Sequence, residues 1–519
     1  MNAPRQVKWR IFTAVPPRCS TRASPFASGA PVSVRRLVRP ALLALLLAAP
    51  ALHAQITIAE YAARRDSLAA RVKDGVVLAF GGRKPVTDFG PFYQLPTFRY
   101  LTGYDYADAT MAMVVKNGRT ASTLYFTKST PRVSLYYGAE PDSAAIARDM
   151  GLAARPVSAL AADVEALAER GLPFFTLRDF EDADFAANDS LTRGGQFARA
   201  LVARHPKLVV NDAHPIVAEL RARKSPAEMA LIRKAAEISA EGHRALMRSI
   251  APGMHEYEMQ AIVEYTFRRL GAERPSYGSI VGAGPNGTQL HYMKDTREAR
   301  EGEVVVIDAA AQYEGYAADI TRTIPVSGTY TADQKAIYQV VRDAQAAAER
   351  NSKAGASVRA AQDSSIDVRA RGLAALGLIE SPTATLDMPW PTNCANNPRS
   401  CQQVSLWAIH GISHGLGLAV HDPVQADFGD RTFKVGDAYT IEPGIYITTR
   451  LLDILPDTPK NRAFIAKVRP LVERYKDTGV RIEDDYIITD KGVEWITRVP
   501  REIPEIEALL KQRRTPPIP

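Results

Sequence analysis

At 519 residues the chain is long enough for two or three domains, and its 46% hydrophobic and 24% charged residues are an ordinary globular composition that excludes disorder. A formal charge of +8 points first to an acidic partner, but residues 1–54 hold eight cations (Arg5, Lys8, Arg10, Arg18, Arg22, Arg35, Arg36 and Arg39) and no acid. Of 65 basic residues, the 57 that remain balance the 57 acidic ones, so nucleic-acid binding loses its support.

The chain opens on a segment that reads as an export leader. Arg35, Arg36 and Arg39 precede the apolar run 41–49, which is well short of the roughly 20 residues of a membrane span. Leu52-His53-Ala54 before Gln55 is a plausible cleavage site. Residues 1–54 are therefore expected to be a signal peptide cleaved near Ala54/Gln55, leaving a periplasmic or secreted protein with no stable membrane anchor. Cys19 leaves with the leader. Cys394 and Cys401, in a loop rich in Asn and Pro, read as a local disulfide in an oxidising compartment. The alternatives are a metal site, which would want more Cys or His nearby, and two free thiols.

From Ile58 to about Asp212, short apolar strands alternate with helical stretches. Val76–Phe80 before Gly81-Gly82 and Met111–Val115 before Asn117-Gly118 read as buried strands ending in turns. Residues 142–152 and 159–170 have helical spacing of apolar positions. A boundary falls near 213–225, where Ser225-Pro226-Ala227-Glu228 predicts a helix start with a capping box and proline at its first position. Met229, Ile232, Ala236 and Leu246 continue that helix until Pro252-Gly253 stops it. Further helices are expected over about 255–270 and 333–350, with Val304–Ile307 as a central strand between them. The proline-rich end, Thr515–Pro519, is expected to fray.

Five residues carry the chemistry. Asp308 ends the apolar strand 304–307, and Asp319 follows eleven residues on; a short hairpin between them would bring both carboxylates to one spot. An Asp at a strand end is more often a turn former or helix cap. His410, His414 and His421 fall within twelve residues, interleaved with glycines that permit close approach. Glu442 precedes a Pro-Gly turn at a strand end. Glu483 stands among apolar residues, where a carboxylate is costly to bury unless paired or metal-bound; a salt bridge to Arg481 is the bland reading. Asp308, Asp319, His414, Glu442 and Glu483 together offer four carboxylates and one imidazole, a hard donor set suited to Mn²⁺, Co²⁺ or Fe²⁺. Five ligands are too many for one catalytic ion with open positions and suit two ions about 3.5–4 Å apart.

In this order and with these neighbours, the five residues resemble the metal ligands of the pita-bread metallopeptidases, family M24. Gly315-Tyr316 and Asp319-Ile-Thr-Arg-Thr323, Ser413-His414 and Glu442-Pro443-Gly444 match the family's motifs. His410-Gly411, Val420-His421-Asp422 and Asn286–Tyr292 are similar to its proline-specific branch, aminopeptidase P and prolidase. Tyr100-Leu-Thr-Gly103 resembles the creatinase-like domain of that branch. The resemblance covers about 55–500 and implies an α/β (α+β) protein: a leader over 1–54, a creatinase-like α/β domain over 55–215, a pita-bread catalytic domain over 216–500 and a tail over 501–519. The insertion 381–403, with its cysteine pair, departs from the pattern.

The activity implied is that of an Xaa-Pro aminopeptidase. It would hydrolyse peptides with proline second, using two divalent ions, Mn²⁺ foremost and Co²⁺, Fe²⁺ or Zn²⁺ as alternatives. By the same resemblance Glu442 moves the water's proton towards the proline nitrogen, His421 and His291 stabilise the oxyanion or relay that proton, and His410 and Arg481 orient the substrate and hold Glu483. A homo-oligomer, dimer or tetramer, is implied too. The alternatives are a prolidase restricted to dipeptides and, from another class, a metal-free creatinase-type hydrolase or peptide-binding pseudoenzyme. Such relatives lose ligands, and this chain keeps all five.

Overall fold

The computed structural model describes residues 55–85, 90–177 and 192–512. The expected leader, Cys19 and the end at Thr515–Pro519 lie outside the described residues, among which no helix is long and apolar enough to cross a membrane.

The first sheet takes six strands, β1 (Gly75–Phe80), β2 (Thr110–Lys116), β3 (Arg119–Phe126), β4 (Ala153–Pro156), β5 (Phe174–Thr176) and β6 (Val210–Asp212), in the order β4-β3-β2-β1-β5-β6. β1 pairs antiparallel with β2 and parallel with β5, so the sheet is mixed. The apolar runs expected as buried strands are its two central ones: every residue of β1 is buried, because helices cover both of its faces. The helical spacing near 142–152 and 159–170 resolves as helices Ser143–Met150, capped by Asp142, and Leu160–Ala168.

Beyond Asp212 the architecture changes to long helices packed on small antiparallel sheets. Pro226–Met247 begins as expected, with Ser225 Oγ accepting from the Glu228 amide and the Glu228 carboxylate accepting from the Ser225 amide at 2.8 Å. Glu256–Arg269 and Ala332–Asn351 match the other two expected helices. Val358–Ala375 and Pro459–Tyr475, the latter with Pro470 inside it, were not legible, since Ala, Ser and Arg blur the apolar period of the first. The tail expected over 501–519 starts later than expected: Ile503–Leu510 is a helix whose Ile506, Leu509 and Leu510 join the core.

The strands here are β7 (Arg274–Pro275), β8 (Ile280–Ala283), β9 (Val304–Asp308), β10 (Ala311–Tyr313), β11 (Tyr316–Ala317), β12 (Thr321–Pro325), β13 (Ala438–Ile441), β14 (Gly444–Ile447), β15 (Thr478–Arg481), β16 (Asp484–Thr489) and β17 (Gly492–Trp495). As expected, β9 is central, in the order β12-β9-β8. The chain leaves Asp308, makes the β10–β11 hairpin in a separate sheet with β7, and returns in β12 with Thr321 opposite Asp308.

Arg322 on β12 and Asp484 on β16 form an ion pair at 2.6 Å with both side chains fully buried. The guanidinium also donates to the carbonyls of Thr321, Glu483, Pro500 and Val499, so it ties together the chain segments next to Asp319 and Glu483. Arg322→Met leaves the Asp484 carboxylate short of its main counter-charge and is expected to cost about 3–5 kcal/mol. Urea unfolding of the variant checks this, and a loss below about 1 kcal/mol would refute the pair's structural weight.

Candidate metal centre

The strand ends converge on one cavity of about 610 Å³, lined by Asp308, Asp319, His414, Glu442 and Glu483, with His291, His410, His421 and Arg481 around them. All the residues singled out from sequence thus come together. Asp308 closes β9, Asp319 lies between β11 and β12, Glu442 lies between β13 and β14, and Glu483 lies between β15 and β16. Placing the carboxylates at strand ends, rather than within strands, aims them across the sheets at one another.

His414 sits at the centre of this set. Its Nε2 lies 3.4 Å from Glu442 Oε1, 3.5 Å from Asp319 Oδ2 and 3.9 Å from Glu483 Oε1. Ligand atoms of Asp319, His414 and Glu483 all fall within 4.8 Å of one another. The Gly-rich loop that carries His414 is pinned to Thr440 of β13 by two hydrogen bonds: His414 N donates to the Thr440 hydroxyl and Thr440 N donates to the His414 carbonyl. A side chain at Gly415 would run into the Asp422 carbonyl, so this position has to be glycine for the loop to close. Likewise, Gly444 after Glu442-Pro443 stands where a Cβ would meet the Tyr446 hydroxyl and His410 Nε2.

The electrostatics are those of a cation site. Burial pushes the Glu442 carboxyl up to about 7, against the pull of His414 and Arg481. Burial likewise raises Asp308, and it raises Glu483 strongly, with Asp319, Glu442 and Asp308 adding to the rise in Glu483. Burial opposes charge on His414, but the hydrogen bond to Asp319 and the charges of Glu442 and Asp319 outweigh it and lift the imidazole to about 10. Glu483 accepts from Thr321 Oγ1 at 2.7 Å through Oε2, while its buried Oε1 has no hydrogen bond. Buried carboxylates that repel one another, one with an orphaned oxygen, fit hard divalent ions held by Asp308, Asp319, His414, Glu442 and Glu483.

The surrounding groups are placed by contacts that sequence did not reveal. Tyr277, absent from the expected site, holds its hydroxyl 2.5 Å from both Asp308 Oδ1 and Asp319 Oδ1. Tyr446 accepts from Arg481 Nη1 at 2.8 Å and shares a 2.8 Å bond with His410 Nε2. Burial, with the charges of Arg481 and Arg369, holds His410 down at about 3, so its ring is neutral. The His421 ring packs against that of His414, centroids 4.0 Å apart and tilted by 45°. Its neighbour Asp422 is buried between Arg221 and Lys224, which outweigh the cost of burial and keep its carboxyl low.

One expectation is corrected. Arg481 pairs with Asp308 rather than with Glu483, because its side chain reaches across to β9 instead of along its own strand. It touches Glu483 only through Thr321, whose hydroxyl takes Arg481 Nε at 3.0 Å and donates to Glu483.

Residues 230–490 match the model of metallopeptidase family M24, a stretch that contains all nine of the site residues expected from sequence. The chain belongs to metallopeptidase family M24. Residues 61–172 match the aminopeptidase P N-terminal domain. Over 469 residues the chain is 30% identical to the Xaa-Pro aminopeptidase of Escherichia coli, covering 89% of this chain and 99% of that one. Human Xaa-Pro dipeptidase is 32% identical over 329 residues, covering 59% of this chain and 63% of the dipeptidase. Among solved structures, proline aminopeptidase P II from Yersinia pestis superposes with a TM-score of 0.72 at 30% identity, over 88% of this chain and 99% of that chain. The two-part α/β architecture expected from the motifs is therefore that of the M24 family, with the metal centre in its second part.

Proposed function

We propose that the protein is an Xaa-Pro aminopeptidase with a dinuclear centre, Mn²⁺ foremost, held by Asp308, Asp319, His414, Glu442 and Glu483. The observation that carries this is the convergence of all five ligands with three further histidines in one cavity, supported by end-to-end similarity to an Xaa-Pro aminopeptidase. The bond before proline is a tertiary amide with no N–H, so leaving-group protonation must come from the enzyme.

Bound divalent ions supply Lewis acidity at the scissile carbonyl and a lowered pKa for water. Glu442, largely buried and facing His410 Nδ1 at 3.5 Å, takes the attacking water's proton and delivers it to the proline nitrogen. His421 and His291, which line the cavity, donate to the developing oxyanion. Arg481 and Tyr277 hold Asp308 in place, and Tyr446 fixes the His410 ring.

The Cys394–Cys401 disulfide supports export to an oxidising compartment. The test uses the exported protein, with intact mass expected to begin at Gln55 and to lose no cysteines to alkylation without reductant. Given Mn²⁺, it should release the first residue from Ala-Pro-Ala-Ala faster than from Ala-Pro. Cleavage confined to the dipeptide makes it a prolidase, and no cleavage of either sinks the reading.

A further inference from the structure

A second cavity, of about 900 Å³, continues from the metal centre past His410 and Gly411, the two residues common to both. Its floor is the helix Val358–Ala375, and one wall is the cysteine-bearing insertion, with Trp390 half-buried on it. The wall is preformed. The disulfide closes its loop, and Arg399 bonds it to the floor helix through Asp367 at 2.6 Å and Asp363 at 3.6 Å. Ile366 and Ile409 add apolar surface beside Trp390.

Two further guanidiniums line the groove near the start of the floor helix. Arg431 is exposed and its backbone is tied to the start of the floor helix by Val358 N to Arg431 O at 3.1 Å, which brings it beside Arg359. Arg359 has Asp363 at 3.6 Å with 80% of its side chain exposed, and Arg431 has no side-chain partner among the described residues. After Arg399 has taken Asp367 and Asp363, the groove keeps a cationic end.

We propose that this groove binds the part of the peptide downstream of proline, with Trp390 and Ile409 stacking on its side chains and Arg359 and Arg431 drawing an acidic residue or the free C-terminal carboxylate. The inference rests on the aminopeptidase reading. With the substrate's free amine held at the metals, no residue lies upstream, so every further residue must leave in the downstream direction. The groove shares His410 with the site, which gives that segment a path. Preformed walls spare the peptide most of the ordering cost of binding.

The experiment measures kcat and KM for Ala-Pro-Ala, Ala-Pro-Ala-Ala-Ala, its C-terminal amide, and the versions with Asp or Lys at the fourth position, in wild type and in Arg359→Glu/Arg431→Glu. In wild type KM should fall with length and be lowest for the acidic peptide, by about fivefold against the lysine peptide at low salt. In the double variant that preference should vanish or reverse, while kcat on Ala-Pro-Ala stays the same. Quenching of Trp390 fluorescence by the pentapeptide, lost in Trp390→Phe, reads binding without turnover. A KM that ignores length and charge in both proteins, with Xaa-Pro cleavage intact, overturns the groove and leaves the activity standing. Charge-dependent quenching without cleavage keeps the groove and overturns the activity, and the absence of both overturns both.

Discussion

Stripping the metal with a chelator is expected to lower turnover by at least about a thousandfold, and Mn²⁺ or Co²⁺ should restore it. Among the described residues, the four carboxylates of the site face only two cations, the raised His414 imidazole and Arg481, and Arg481 is already committed to Asp308 and Tyr446. Full activity in stripped protein would end the metal reading.

The same experiment has a stability arm with a definite sign. Burial raises Glu442 from an ordinary 4.5 to about 7. A carboxyl raised in the fold holds its proton more tightly when folded, so the stability it lends is present at low pH and is lost as pH climbs from about 4.5 through 7. Metal-free protein should therefore lose melting temperature over this window, relative to protein loaded with Mn²⁺. Saturating Mn²⁺ at a hundredfold over its dissociation constant should add about 2.7 kcal/mol. A metal-free protein equally stable at pH 5 and pH 8 would show that burial does not hold a proton on Glu442 in the fold.

His421→Ala should lower kcat by about 10²–10⁴ and leave the metal content unchanged. Its ring packs at a tilt against His414 and lines the cavity, but it does not join the group of atoms within 4.8 Å that Asp319, His414 and Glu483 form. Removing it therefore deletes a donor facing the substrate without deleting a ligand. Asp422, locked by Arg221 and Lys224, keeps the loop in place in the variant. Elemental analysis beside the kinetics separates the outcomes: loss of both ions would make His421 a ligand, and unchanged kcat would leave it without a catalytic role.

Much of the site could be read from sequence because its chemistry is local. Asp308 at the end of Val304–Ile307, the histidines within twelve residues and Glu442 before Pro443-Gly444 each declare themselves through their immediate neighbours. The capping box at Ser225–Glu228 is local in the same sense, and the helix starts there. Composition also confined the net charge to residues 1–54.

Only the tertiary structure decided which side chain holds which. Tyr277 meets Asp319 from 42 residues away, Arg481 meets Asp308 across 173, and Arg221 meets Asp422 across 201. Nothing around Tyr277 or Arg221 in the chain distinguishes them from any buried aromatic or surface cation. The strand pairings Thr321↔Asp308 and Gly444↔Arg481 set the positions of Asp308 and Arg481, and pairing register depends on the whole hydrophobic pattern of both partners. The insertion 381–403 is the clearest case. From sequence it reads as a cysteine pair in a polar loop, and it becomes a groove wall because Arg399 finds Asp367 on a helix whose own apolar period is too blurred to announce it.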